Sequence, residues 1–392
     1  MKILMICEFY DPNLEYQENI LTKYYTMHGH EVVVIASTFE NVFDYYSGKY
    51  NNKVPSSLTY DGKTKIIKLK YKFNFLNKIR KYISINKILE EEKPDLIYVH
   101  DIIPNLTECI HYLKRDPKCK MIMDYHADYS NSGKNWISLK ILHGIIRKWY
   151  LDKSRPYLSK IFPVVPAGIK FLHEVYKVPL SEMEVLPLGA DLNLCNKMKN
   201  SSILNELKQK YNIGNNDKVI ITGGKLSPRK KTELLIEAFH KLDIDNKHLI
   251  IIGDSANENL KYKEKLINLS KKSKNIHFTG WLNTEMIYAH FHISTIAVFP
   301  ASQSILWQQA IASGLPLITG NTGEQSIEYL NLYNNIIILE KDNITIDNLC
   351  LNIKNILNNS DLYKSMKIGA KKVANEKLDW NILIKNTLKF NK

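Results

Sequence analysis

Lys218-Val219-Ile220-Ile221-Thr222-Gly223-Gly224-Lys225-Leu226-Ser227-Pro228-Arg229-Lys230-Lys231 passes from an unbroken apolar run into two glycines and then into a basic turn. The run 218–222 shows no alternation, the pattern of a parallel strand covered on both faces. An amphipathic stretch follows at 229–242, so a strand, a turn and a helix succeed one another. Glycines let a ligand approach the backbone, and a helix N-terminus offers free N–H groups and a positive dipole end. Four cations in the seven residues Lys225–Lys231 add charge, and Arg can grip a phosphate bidentately. The combination suits a diphosphate; a solvated basic turn is the plain alternative.

The same grammar extends in both directions. Apolar runs at 2–7, 31–36, 95–99, 120–124 and 161–165 form one series, and 218–222, 247–252, 275–278, 294–299 and 335–339 form a second. Amphipathic stretches lie between them at 17–28, 75–92, 229–242, 257–273 and 361–375, with another at 378–384. Strand–helix alternation means βαβ units and a parallel sheet, and two series predict two doubly wound domains. Pro187 and Gly189 punctuate the chain before the polar residues that lead to Lys199, which places the boundary there.

Bulk properties narrow the class. The 392 residues are 44% hydrophobic, enough for two ordinary cores. No apolar run approaches the roughly 20 residues of a membrane span, and the start of the chain reads as a buried strand rather than a signal peptide. A cytosolic protein is expected. Five scattered cysteines without a CxxC argue against a disulfide framework or zinc site. A net charge of +14 suggests an anionic partner. From Lys49 to Lys87 there are 11 basic residues against one acid, Asp61. That stretch, interleaved with Tyr71, Phe73, Phe75 and Tyr82, suits an anionic membrane surface. A second candidate is 134–155, where Leu142, Ile145, Ile146 and Trp149 form a helical stripe beside lysines and an arginine; such stripes are more often core. No nucleic-acid-binding motif is present. Neither GxGxxG after the first strand nor GxxxxGK[ST] anywhere occurs, which disfavours dinucleotide and P-loop chemistry.

Gly224-Lys225-Leu226-Ser227-Pro228-Arg229-Lys230 with Leu235-Ile236-Glu237-Ala238 resembles the G-R-L-x-x-x-K-G…L-I-x-A segment of glycosyltransferase family 4. Gly29-His30-Glu31-Val32-Val33-Val34 resembles that family's entry to its second strand, and Pro187-Leu188-Gly189-Ala190-Asp191 the motif that ends its first domain. Ile252-Gly253-Asp254 and Thr279-Gly280-Trp281 resemble strand ends lining its nucleotide pocket, and Ala310-Ile311-Ala312-Ser313-Gly314-Leu315-Pro316 resembles A-M-A-S-G-x-P. The order is the family's from end to end.

The resemblance implies the GT-B fold: two Rossmann-like doubly wound parallel-sheet domains facing across a cleft. Residues 1–190, with a returning helix at 378–392, would bind the acceptor, and 191–377 the sugar nucleotide. It implies donor diphosphate on Lys225 and Lys230, helped by Arg229 and Gly224, and a donor pocket that includes Gly253, Gly280 and Trp281. It implies that His126, just past the strand 120–124, contacts the donor sugar near the reacting centre. His100, Asp101 and Asp128 follow strands on the same edge and are acceptor candidates; capping is the alternative for them. The family's two glutamates before A-M-A-S-G are missing: the second falls on Gln309 and the first on Ala301. Gln309 can still hydrogen-bond ribose hydroxyls. Ser302, Gln303 and Ser304 would cap the helix 305–313 and aim it at the donor. The expected reaction is glycosyl transfer with retention, without metal or cofactor, onto a glycan or lipid-linked acceptor. The missing glutamates leave open a catalytically inactive subunit or a sugar-nucleotide epimerase.

Overall fold

The apolar runs become strands because only a sheet covered on both faces buries every side chain of an unalternated Val/Ile/Leu segment. The computed structural model describes residues 1–12, 14–39, 55–323 and 326–389. The chain divides into two units, Met1–Pro187 with Trp380–Lys392 and Leu188–Asp379. The first holds β1 (Lys2–Ile6), β2 (Glu31–Ser37), β3 (Ser57–Asp61), β4 (Thr64–Leu69), β5 (Tyr71–Phe75), β6 (Ile79–Tyr82), β7 (Leu96–His100), β8 (Lys120–Tyr125) and β9 (Lys160–Pro163). The second holds β10 (Lys218–Gly223), β11 (Lys247–Ile252), β12 (Ile276–Gly280), β13 (Ile296–Phe299), β14 (Leu317–Asn321) and β15 (Ile336–Glu340).

The first sheet orders its strands β3-β4-β2-β1-β7-β8-β9, and the second β12-β11-β10-β13-β14-β15. All pairings are parallel except that of the edge strand β3 with β4. Both are doubly wound sheets. The strand order reverses between β1 and β7 in one and between β10 and β13 in the other, and it is beyond such reversals that open α/β sheets hold ligands. Apolar clusters cover both faces of each sheet. The helix Trp380–Leu388 packs on the helix Gln17–Met27, with Trp380, Leu383 and Ile384 buried and His28 Nε2 2.9 Å from Asn381 Oδ1. No helix among the described residues is long and apolar enough to cross a membrane.

Two expectations need correction. The stretch 75–92 is helical only over Asn86–Glu92. Before it, β5 and β6 pair as an antiparallel hairpin turning at Leu76 and Asn77, both with positive φ. No glycine or proline marks that turn. The second is β14, which follows Gly314-Leu315-Pro316 and adds a central strand the apolar pattern did not announce. Residues 49–54 of the basic stretch lie outside the described residues.

Candidate active site

In the second unit, close backbone approach organises the strand ends. Gly224 N donates to Ile252 O at 2.9 Å and Gly253 N to Gly280 O at 2.9 Å. Gly253 has φ of 100°, and a Cβ there would stand 2.2 Å from Gly224 O. Only glycine fits, so three strand ends present bare backbone at one place. Lys230 lies over that floor: a Cβ on Gly224 would meet its Nζ at 3.4 Å and Ser304 Oγ at 3.4 Å. Lys230 Nζ donates to Gln303 O at 2.9 Å, a contact that spans the reversal between β10 and β13. Among the described residues no carboxylate pairs with it. Burial disfavours its charged form and pulls the ammonium down to about 8.

The neighbouring side chains differ in character. Lys225 is exposed and pairs with Glu258 at 3.2 Å, and Arg229 and Trp281 are also exposed. Ser302 has a positive φ of 65° and begins the turn that carries Gln303. The helix here is Leu306–Ala312, and among the described residues its only hydroxyl contact from this turn is a long one, Leu306 N to Ser304 Oγ at 3.4 Å. Gln309 Oε1 is buried with no hydrogen-bond partner among the described residues. Such an acceptor calls for a donor group.

In the first unit the register of β7 on β8 sets His100 opposite Asp124. Asp124 is fully buried, and its Oδ2 lies 2.8 Å from His100 Nδ1, 3.1 Å from Tyr98 Oη and 3.5 Å from His126 Nε2. Burial alone would raise this carboxyl, but the two imidazoles outweigh it and hold the group below the usual carboxylate range. Burial likewise opposes the charge on His126, but Asp124 prevails and the imidazole is pushed up to about 9. His126 keeps 40% of its side chain exposed, so part of the imidazole faces solvent while Nε2 faces Asp124.

Several atoms around this network are unsatisfied. His100 Nε2, Asp124 Oδ1 and both amide atoms of Gln17 are buried without partners among the described residues. Glu18, on the same first helical turn as Gln17, is raised by burial and opposed by the His100 and His126 charges. Beyond β1, Glu8 pairs with Arg80 at 2.6 Å, and Asp101, at positive φ, faces Arg147 at 3.7 Å. Asp128 is buried, and its carboxylate accepts from Ser130 N and Ser130 Oγ. The structure thus joins His100 and His126 through Asp124 and leaves Asp128 inside its own turn. Sequence reading singled out none of Asp124, Gln17, Glu18 and Glu8. An aspartate closing the apolar run Met121-Ile122-Met123 was the available signal, since a buried charge needs partners.

Two family descriptions match the chain: Glycosyltransferase Family 4 over residues 20–194 and Glycosyl transferases group 1 over residues 205–373. A Salmonella typhimurium protein described as lipopolysaccharide 1,2-N-acetylglucosaminetransferase is 22% identical over 173 residues. That match takes in 41% of this chain and 44% of the relative. Among solved structures, a glycosyltransferase from Rickettsia africae superposes with a TM-score of 0.70 at 16% identity, covering 100% of this chain and 97% of its own. Anabaena HepE in complex with UDP superposes with a TM-score of 0.69 at 14% identity, covering 99% of each chain. With both sheets doubly wound and both halves matched, the chain belongs to the family 4-like glycosyltransferases of GT-B fold.

Proposed function

We propose that the chain transfers a hexosyl group from a nucleotide-sugar donor, UDP-linked as the HepE complex suggests, to a glycan or lipid-linked acceptor of a cell-surface polysaccharide. The observation that carries this reading is Lys230: a half-buried ammonium on a glycine floor, bonded only to a carbonyl and lacking a carboxylate partner among the described residues. Diphosphate is the anion that such a floor admits, since bare backbone N–H groups and a desolvated cation strengthen each other in a low dielectric. In this reading the second unit holds the donor and the first the acceptor. Gln309 Oε1 accepts from a ribose hydroxyl. Lys225 adds a second charge by leaving Glu258. Ser302, Gln303 and Ser304 shape the donor turn.

The chemistry follows from those placements. The acceptor oxygen forms a bond to the anomeric carbon, the bond from that carbon to the diphosphate oxygen breaks, and the acceptor proton passes to the leaving diphosphate. Retention is assigned on that basis. Lys230 and Lys225 stabilise the charge that grows on the leaving group, so no metal is required. His126, held protonated by Asp124, donates to hydroxyls of the reacting sugar, and His100 and Asp101 meet the acceptor. The Salmonella relative's description supports a glycan acceptor. The acceptor is assigned to the cytoplasmic face of an anionic membrane, where the protein acts peripherally.

Calorimetry with UDP, then product analysis with UDP-sugars and EDTA, tests the reading. Tight UDP binding and EDTA-resistant transfer with retained anomeric configuration support it. Absence of UDP binding overturns it. Binding without turnover on any glycan would favour the inactive-subunit reading that Ala301 and Gln309 raise.

A further inference from the structure

The helical face between Trp136 and Trp149 is apolar where a solvated helix should be polar. It is built on the π-helical segment Ile137–Arg147 and the α-helix Lys148–Ser154. Ile137, Ile141, Ile145 and Trp149 recur at intervals of four, which keeps them on one stripe. All four are exposed, as is Trp136; Ile137 shows 65% and Ile145 64% of its surface. They are not a displaced core face, because the opposite side already supplies one. His143 is buried with its Nδ1 2.6 Å from Tyr176 Oη, Leu139 packs on the core and Leu151 is fully buried. A helix apolar on both sides meets a second apolar phase.

The hairpin β5–β6 extends this face. Arg147 Nη2 donates to Lys78 O at 3.2 Å, so helix and hairpin touch. At the hairpin tip Leu76 is 76% exposed and adopts φ of 51°. That conformation favours Gly or Asn, and a leucine there is strained as well as solvated. Phe73 and Phe75 are exposed beside it.

Charge selects the occupant. Residues 134–155 carry six basic residues, Lys134, Lys140, Arg147, Lys148, Lys153 and Arg155, against one acid, Asp152. Lys153 Nζ sits 3.8 Å over the Trp149 ring, its stem along the apolar stripe. A symmetric contact with a second copy would bring these cations together. Tryptophans at both ends of an apolar row with basic flanks match a lipid–water interface. Of the lysines β4 supplies, Lys65 is tied to Glu92 and Lys68 to Tyr10 O. The β4 part of the basic stretch is therefore not the contact.

We propose that the stripe Ile137/Ile141/Ile145/Trp149, with the hairpin tip at Leu76, inserts into the interface of an anionic lipid membrane. This rests on the membrane-borne acceptor assigned above and names the surface that meets the membrane.

Cosedimentation with vesicles of phosphatidylglycerol and phosphatidylcholine, against phosphatidylcholine alone, tests it. The wild type should bind the anionic vesicles at least tenfold better. Ile141→Asn with Ile145→Asn should lose at least tenfold of that binding. Leu76→Asn should lose severalfold while melting no lower than the wild type, since Asn suits its φ; this variant separates docking from misfolding. UDP affinity should be unchanged in each. Equal binding by wild type and variants, or equal binding to both vesicle types, overturns the proposal. So does a concentration-dependent dimer, seen by light scattering, that Ile145→Asn abolishes in a chain that ignores vesicles. Failure of the wild type to bind UDP would sink the transferase reading and leave the vesicle result standing.

Discussion

The two sheets hold charge beyond their strand ends in opposite ways. At the ends of β7 and β8, one carboxylate gathers two imidazoles and a phenol within 3.5 Å. At the ends of β10 and β13, an ammonium is half-buried with a single carbonyl for company among the described residues. The first arrangement pairs its charge within its own unit, although His100 Nε2 and Asp124 Oδ1 stay without partners among the described residues, and it fixes geometry before any ligand arrives. The second is incomplete, and its depressed basicity measures what an anion would restore. In the proposed reading, positioning and binding fall to different units, and each should be breakable without the other.

Asp124→Asn should have the largest effect. Removing one partner of a buried charge network costs about 3 to 5 kcal/mol, so the first unit should melt well below the wild type while the second keeps its UDP affinity. A calorimetric scan with and without UDP reads both. Next, Lys230→Ala should weaken UDP binding by about 2 to 3 kcal/mol, the scale of a lost charge-assisted contact. The melting temperature without ligand should not fall, because the variant removes a half-buried charge that desolvation disfavours and that no carboxylate among the described residues pairs. An unchanged dissociation constant in titration calorimetry would remove Lys230 from the site.

Turnover sharpens the contrast. His126→Ala should lower kcat about a hundredfold, within the range of general acid–base contributions, while UDP binding stays within twofold. Steady-state kinetics beside calorimetry separates the two.

The pH dependences should have opposite signs. His126 is raised from 6.5 to about 9, so its contribution is fully present below 6.5 and is lost as pH rises through 9. Lys230 is lowered from 10.5 to about 8, so its folded-state penalty is fully present below 8 and fades as pH rises toward 10.5. Over that upper window UDP binding must take up a proton, and affinity should fall by up to about tenfold per pH unit. Lys230→Met should flatten that decline. The smallest effect expected is Gln309→Glu, which should tighten UDP severalfold by charging the ribose acceptor.

The fold was legible where burial is two-sided. Runs such as Val32–Ile35 and Leu249–Ile252 have no solvent face to encode, and they read as strands at once. Helix was expected over 75–92 because Phe75, Ile79, Tyr82, Ile83 and Leu89 are spaced ambiguously, and the turn at Leu76-Asn77 carries no glycine to break the pattern. The strand β14 was hidden by Thr319, Gly320 and Asn321, which break its apolar run after Ile318. At the site, glycines and cations near Gly224 could be listed from sequence because they are neighbours along the chain. The Asp124 network could not, since its members meet only through the β7–β8 register. The exposed stripe at 137–149 is equally cryptic: apolar residues at helical spacing look the same whether they face a core or a lipid.

The helix Trp380–Leu388 completes the first unit yet is synthesised after all of the second. Until it emerges, the face lined by Leu21, Tyr24 and Tyr25 has no cover, and Tyr25 lacks its hydroxyl partner Thr387. Nascent chains fold as segments leave the ribosome. The second unit, continuous in sequence, can therefore close while the first still waits with an open apolar flank. That order makes the first unit the later and more aggregation-exposed half during biosynthesis, and makes the rate of translation through 188–379 the length of its exposure.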